Sequence, residues 1–167
     1  RAASVGPAGA SLAGLPQVAY AGLEDARWRA DRDGERARAA ALGFPQFVKP
    51  ARLGSSVGIS IVRSEPDFPA AIELAFEHDD KLLVEQYVSG REVECSVLGS
   101  EEPAASLVGE IVPLKADWYD FSSKYDEDGM ELLVPARIPT GQAARVQELA
   151  VRSFVACGCE GMARVDL

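Results

Sequence analysis

The sequence predicts an α+β fold in two lobes, each a mostly antiparallel sheet flanked by helices. Three observations carry this expectation. Short β-type runs follow one another across compact glycine-bearing loops, as in Gln46–Lys49 and Ile59–Val62. Helical stretches with an apolar stripe lie among them, the clearest from Thr140 to about Cys157. Val88 to Gly90 interrupts the pattern midway and reads as the seam between the lobes. The expected organisation is a lead-in over 1–13, a first lobe over 14–88 and a second, incomplete lobe over 89–167.

The elements follow in order. Arg1 to Gly14 is rich in Ala, Gly and Ser, and suits either a poorly ordered lead-in or a frayed helix. Leu15–Tyr20 reads as a short strand. Glu35–Leu42 is dense in Ala, Arg and Glu, all good helix formers, with Gly43 as C-cap and Phe44-Pro45 as the stop. Gln46–Lys49 and Ile59–Val62 form a hairpin around the loop Pro50–Gly58. Ser64 with Asp67 resembles an N-cap for a helix over Pro66–Phe76. Lys81–Tyr87 is a buried-type strand, and Ser89-Gly90 makes a turn. In Glu92–Leu98, Val93, Cys95 and Val97 alternate with Glu92, Glu94 and Ser96. Ser106–Val112 is a further strand. Pro113–Glu131 has no steady period, and a stretch this long suits a functional loop. Leu132–Val134 returns to the core. Thr140 caps a helix striped by Val146, Leu149, Ala150, Ser153, Phe154 and Cys157, which Gly158 ends. Gly161–Leu167 is the last strand.

Composition removes several classes of function. The formal net charge is −9 over 167 residues, with no cluster of Lys and Arg, which argues against a nucleic-acid surface. No apolar run approaches the ~20 residues a membrane helix needs. The one histidine, His78, sits in a polar stretch and reads as a solvated loop residue, so a Ser-His-Asp triad or a multi-histidine metal site is not expected. Cys95, Cys157 and Cys159 are too few and too uneven for a disulfide framework, and fit a reducing cytoplasm. Cys157-Gly158-Cys159 is poorly spaced for a zinc knuckle and reads as packing near a helix end. The chain opens on Arg1, without a signal segment, and Leu167 falls inside a strand, so a piece of a longer protein, truncated at both ends, is expected.

Four segments could carry chemistry. In Lys49–Gly58, Gly54 and Gly58 let the backbone approach a ligand. Its amides and the hydroxyls of Ser55 and Ser56 can donate to phosphate oxygens, and Lys49 adds a point charge. Alone, such a loop is more often a plain polar hairpin. Glu85-Gln86-Tyr87-Val88 can offer backbone groups to an adenine edge, with Glu92 beyond to accept ribose hydroxyls; a charged strand end is the bland alternative. The loop Asp117–Tyr125 brings aromatics and Lys124 together, as a lid would, or as a partner contact would. In Met162–Leu167, Arg164 and Asp166 share a strand face, roughly 7 Å apart. Arg164 could stabilise an anionic transition state and Asp166 could hold Mg²⁺, or the two could form a surface ion pair.

The order of these segments is informative. Phe47-Val48-Lys49-Pro50, Gly54-Ser55-Ser56-Val57-Gly58, Leu83–Val88, Gly90-Arg91-Glu92, Gly109–Pro113, Ser123-Lys124-Tyr125 and Gly161–Asp166 together resemble the ATP-grasp superfamily, and within it the D-alanine–D-alanine ligases. The resemblance runs from about Gly14 to Leu167. Each motif is modest alone, but their joint order and spacing are specific.

The resemblance implies ATP between two antiparallel sheets, with Mg²⁺, or Mn²⁺ in its place. It implies that Lys49 contacts the phosphates with Ser56, that Glu85, Tyr87 and Val88 frame the adenine, and that Glu92 binds the ribose. Ser55 and Tyr125 would position the first D-alanine and close the site, with Lys124 near the γ-phosphate. Arg164 would stabilise the tetrahedral intermediate and Asp166 would ligate the metal. The implied enzyme makes D-alanyl-D-alanine for peptidoglycan through an acyl phosphate, in the cytoplasm, as a homodimer, with no nucleic-acid or membrane partner. The lid Ser123-Lys124-Tyr125 looks like that of dipeptide-forming enzymes, unlike the histidine-bearing lid of D-alanyl-D-lactate ligases. The family's amino-terminal domain and its remaining Glu and Asn metal ligands fall outside the sequence. The lysine it places before the first helix of the central domain has no counterpart among Arg1 to Ala13. The chain alone is therefore expected to be inactive. Two other readings compete: a different ATP-grasp carboxylate–amine ligase, and a nucleotide-binding module without catalysis.

Overall fold

A computed structural model describes residues 13–53, 56–114 and 130–167. The chain divides into two compact units, Val18–Ser89 and Gly90–Leu167, with the segment before Val18 grouped with the latter.

The first unit is a four-stranded sheet in the order β1-β4-β2-β3, all pairs antiparallel. Its elements are β1 (Tyr20–Glu24), α1 (Asp25–Ala30), α2 (Arg32–Ala40), β2 (Gln46–Pro50), β3 (Ser60–Val62), a 3₁₀ turn (Glu65–Asp67), α3 (Phe68–Phe76) and β4 (Lys81–Gln86). Alternation decides what is buried: Val48, Leu82 and Val84 point to the helices, as do Ala21 and Leu23 of β1. Leu23, Val48, Leu82 and Val84 pack with Trp28, Phe68 and Ile72 into one core. Trp28 meets Phe68 edge to face at 6.2 Å between ring centroids. Its indole nitrogen donates to Glu73 Oε1 at 3.1 Å, so the one polar atom of a nearly buried ring is satisfied.

The second unit is a four-stranded antiparallel sheet in the order β7-β6-β5-β8. It comprises β5 (Glu92–Gly99), β6 (Ala104–Pro113), β7 (Met130–Leu133), α4 (Thr140–Ala156) and β8 (Gly161–Asp166). Ala150 and Phe154 of α4 are fully buried against Cys95 and Val97, with Ala163 and Val165 of β8 alongside. No described helix is long and apolar enough to cross a membrane.

The α+β antiparallel architecture is as expected, and so is the β2–β3 hairpin. Gly43 and Gly158 end their helices at φ +78 and +60, a region that costs a side-chain-bearing residue energy. Six local expectations are corrected. The first strand is Tyr20–Glu24, not Leu15–Tyr20, because only from Tyr20 does the chain run opposite β4. A separate helix, α1, precedes α2, and α2 starts at Arg32, where Asp31 accepts from the Gly34 N–H at 2.9 Å. Ser64 makes no capping bond; its hydroxyl donates to Asp67 Oδ2 at 2.6 Å. Thr140 is the first helical residue of α4, and the cap is Pro139. Leu132 and Val134 are more than half exposed and do not rejoin the core. Residues 87–91 are irregular and carry no turn at Ser89-Gly90. The lead-in and most of the expected lid lie outside the described residues.

Candidate functional site

In the first unit the face turned from the helices carries the candidate residues. Phe47 and Lys49 alternate with the buried Gln46, Val48 and Pro50 of β2. Glu85 projects likewise from β4, across from Phe47 in the register. Lys49 therefore lies diagonal to Glu85, and its Nζ sits 2.6 Å from Glu85 Oε2. Tyr87, just beyond the end of β4, stacks on Phe47 with centroids 5.6 Å apart and 29° between planes. The Tyr87 N–H donates to the Pro45 carbonyl at 3.1 Å, which holds the chain end over the sheet. A cation, a carboxylate and a flat aromatic pair thus share one open face. Val88, next along the chain, is 60% exposed.

The loop after β2 is rooted by a carboxylate that composition alone does not single out. Asp79 is buried. It accepts from the Arg52 N–H at 2.8 Å, from Arg52 Nε at 3.0 Å and from the Lys81 N–H at 3.1 Å. The Arg52 guanidinium also reaches Asp80. Hydrogen bonding from Arg52, helped by the two backbone donors, holds the Asp79 carboxyl far below the usual carboxylate range, against the opposing effect of burial. In the same loop, Ser56 has φ +60 and Gly58 φ +70. A Cβ on Gly58 would lie 2.6 Å from His78 Cδ2 and 3.0 Å from Pro50 Cγ, so the loop passes tight against the His78 ring. His78 is exposed, as expected, but serves as a floor for Gly58.

In the second unit, register assembles a charged cluster on the open face. Glu94 pairs with Asp166, and Ser96 with Arg164. The Arg164 guanidinium grips Asp166 with two nitrogens, at 2.7 and 3.1 Å. A third nitrogen, NH1, lies 3.2 Å from Glu94 Oε2. Glu92 begins β5 across from Ile111 and shares the open side with Glu94 by alternation. Gly109, opposite Glu94, leaves room for it: a Cβ there would lie 3.2 Å from Glu94 Cγ. Among the described residues no group of three or more His, Cys, Asp or Glu is placed to hold a metal.

Lys49, Glu85 and Tyr87 are thus brought together, as are Arg164 and Asp166. Ser55, Lys124 and Tyr125 lie outside the described residues. Glu94 was not singled out from the sequence as a site residue. Its signal was there in the β5 alternation, but its partner became visible only through the β5–β8 register. Nor was Asp79, which follows His78 in a run that reads as solvated loop.

The family model described as "D-ala D-ala ligase C-terminus" matches residues 10–167. The chain belongs to this family. Its two antiparallel sheets with flanking helices are the ATP-grasp architecture. It is 44% identical over 155 residues to the D-alanine–D-alanine ligase of Bacillus velezensis, covering 92% of this chain and 44% of that protein. It is 47% identical to the enzyme of the same name from Deinococcus radiodurans, over 92% of this chain and 46% of that protein. Among solved structures, the VanG D-Ala:D-Ser ligase from Enterococcus faecalis matches with a TM-score of 0.81 and 38% identity, covering 95% of this chain and 45% of that one. The D-alanine–D-alanine ligase from Coxiella burnetii matches at 0.77 and 32%, over 95% and 40%. The chain spans less than half the length of these relatives.

Proposed function

We propose that the protein carrying this chain is an ATP-dependent ligase that joins two D-alanines, and that these residues are its nucleotide-handling part. The observation that carries the reading is that both charged clusters, Lys49–Glu85 and Glu94–Arg164–Asp166, stand on open sheet faces and not against helices. A surface kept for packing alone has little use for them.

In this reading the γ-phosphoryl of ATP passes to a carboxylate oxygen of the first D-alanine, and ADP leaves. The amine of the second D-alanine then attacks the acyl carbon, phosphate departs with the acyl C–O bond, and the amine loses a proton. Both steps concentrate negative charge, so positioned cations and donors supply the catalysis. Lys49 meets the phosphates, exchanging part of its interaction with Glu85 for them. Ser56 offers its hydroxyl beside it. Glu85, Tyr87 and Val88 frame the adenine, with the Phe47–Tyr87 stack as an apolar wall. Glu92 accepts the ribose hydroxyls. Arg164 stabilises the tetrahedral oxyanion, and Glu94 and Asp166 hold its guanidinium in place. Ser55, Lys124 and Tyr125 complete the substrate side.

Asp166 offers an exposed carboxylate, a hard oxygen donor. Mg²⁺ takes one or two such oxygens and fills its shell with phosphate and water, so the residue fits that ion. Bound there, it would neutralise phosphate charge. The reading extends to a cytoplasmic homodimer serving cell-wall synthesis; three free cysteines agree with a reducing compartment.

The test is D-alanine-dependent ADP release by the full-length protein, with the dipeptide identified by mass. D-Serine and D-lactate are offered as competing second substrates, given the D-Ala:D-Ser relative. ADP release only with other carboxylate–amine pairs would move the protein to a different ATP-grasp ligase. Nucleotide binding without any ADP release would make it a non-catalytic module.

A further inference from the structure

We propose that Glu110 is a positioning residue that fixes the entry of β5 from behind the open face and so holds Glu92 for the nucleotide's ribose. This rests on the ribose role given to Glu92 above. Glu110 is 6% exposed, a carboxylate inside a sheet, and each of its oxygens has its own partner. Oε1 accepts from Arg91 NH1 at 3.2 Å, and Oε2 accepts from the Arg137 N–H at 3.0 Å. The same Arg91 nitrogen also donates to the Arg137 carbonyl. A closed ring of three groups therefore ties together the residue before β5, the middle of β6 and the chain after β7. Next to it, the Ala136 N–H donates to the Val108 carbonyl at 2.7 Å, which lays that chain along β6.

Alternation places the ring behind Glu92. Glu110 pairs with Val93 and Glu92 with Ile111, so Val93 and Glu110 share the side opposite Glu92. On its other flank Val93 exchanges backbone hydrogen bonds of 2.9 and 2.8 Å with Leu167. Glu92 thus begins a strand gripped on both sides by contacts made one residue away. Arg91 is 59% exposed at its side chain, so its ion pair adds little stability. A buried acid with an exposed partner is a costly way to fill space and an effective way to fix one geometry. Glu110→Gln keeps the shape but replaces one acceptor with an NH₂ group, which faces either the Arg137 N–H or Arg91 and breaks the ring.

The test uses the full-length protein and the ratio of kcat/KM for ATP to that for 2′-deoxy-ATP, which reads the hold on the ribose. Glu110→Gln is expected to lower that ratio about threefold to tenfold, the worth of one hydrogen bond, mainly through KM for ATP with kcat nearly unchanged. Arg91→Ala, assayed where the variant is folded, is expected to lower it similarly, and the double variant no further. Glu92→Gln is the control. If Glu92→Gln leaves the ratio unchanged, the ribose role itself is wrong. If Glu92→Gln abolishes the discrimination while Arg91→Ala and any folded Glu110 variant keep it, the positioning role is overturned. A uniform fall in activity with both nucleotides would also overturn it, since that is what a merely structural residue gives.

Discussion

Lys49 Nζ and Glu85 Oε2 are 2.6 Å apart across two neighbouring strands, on the side of the sheet that no helix covers. Both side chains keep some solvent contact, so the pair contributes on the order of 0–1 kcal/mol to folding. In the proposed function its value lies in keeping an ammonium beside the Phe47–Tyr87 stack. Lys49→Ala in the full-length protein should therefore lower kcat/KM for ATP by about 100-fold while the melting temperature moves by only a few degrees. Steady-state kinetics and a thermal melt on the same sample check this. An equal loss in both would reduce the pair to scaffolding.

Asp79 gives a pH dependence with a definite sign. Its folded-state carboxyl is held below its unfolded value of ~3.9 by Arg52, so its stabilisation is fully present above about pH 4. It is lost as pH falls from there toward the folded value. Asp79→Asn should cost about 1–3 kcal/mol at pH 7. The gap from the wild type should begin to narrow as the pH is lowered below 4. Urea unfolding at pH 7 and pH 3 measures both. A gap as wide at pH 3 as at pH 7 would mean the cost comes from packing and not from charge.

Gly58 carries two constraints that can be separated. Its φ of +70 costs a non-glycine residue roughly 1–2 kcal/mol, and a Cβ would strike the His78 ring. Gly58→Ala should weaken ATP binding by about tenfold or more. Adding His78→Ala should restore the part due to the clash and leave the part due to the backbone. Isothermal titration with ATP on the single and double variants distinguishes the two.

Arg164 is held by carboxylates on two sides, which fixes a fork that Lys cannot reproduce. Arg164→Lys should drop kcat by about 100-fold with little change in KM for ATP. Asp166→Asn should raise the Mg²⁺ concentration needed for half-maximal rate. Rate measurements across a Mg²⁺ series check both, and an unaltered Mg²⁺ requirement would remove Asp166 from the metal site.

Much of this arrangement is legible in the sequence. The alternation of Val93, Cys95 and Val97 against Glu92, Glu94 and Ser96 announced β5 and both of its faces. Gly43 and Gly158 marked helix ends because few other residues accept those backbone angles. What escaped was decided at longer range. Helix α1 is six residues long and buries only Trp28, too little for a periodic signal. The first strand starts later than its propensity suggests, because β-forming residues run from Leu15 onward while pairing with β4 begins only at Tyr20. Glu94 and Asp166 are 72 positions apart in the chain (166 − 94), and only the register brings them side by side. The Glu110 ring likewise joins three separate segments, none of which reveals the others.

One strand, β5, supplies the packed interior and the charged open surface from alternate residues. Its reading frame in space is therefore binary. Losing or gaining a single residue upstream within the strand would invert everything beyond it, driving Glu94 into the space of Cys95 and lifting Cys95 into water. Such an indel would be lethal to folding and chemistry at one stroke, whereas a two-residue change keeps parity and only shifts the strand along its neighbours. The register shift opposite Cys95 and Val97 puts the extra residue in β6, between Ala105 and Val108, so β5 keeps its own alternation there. Engineers who lengthen this domain should cut at Gly99 or beyond, where the strand has finished both jobs.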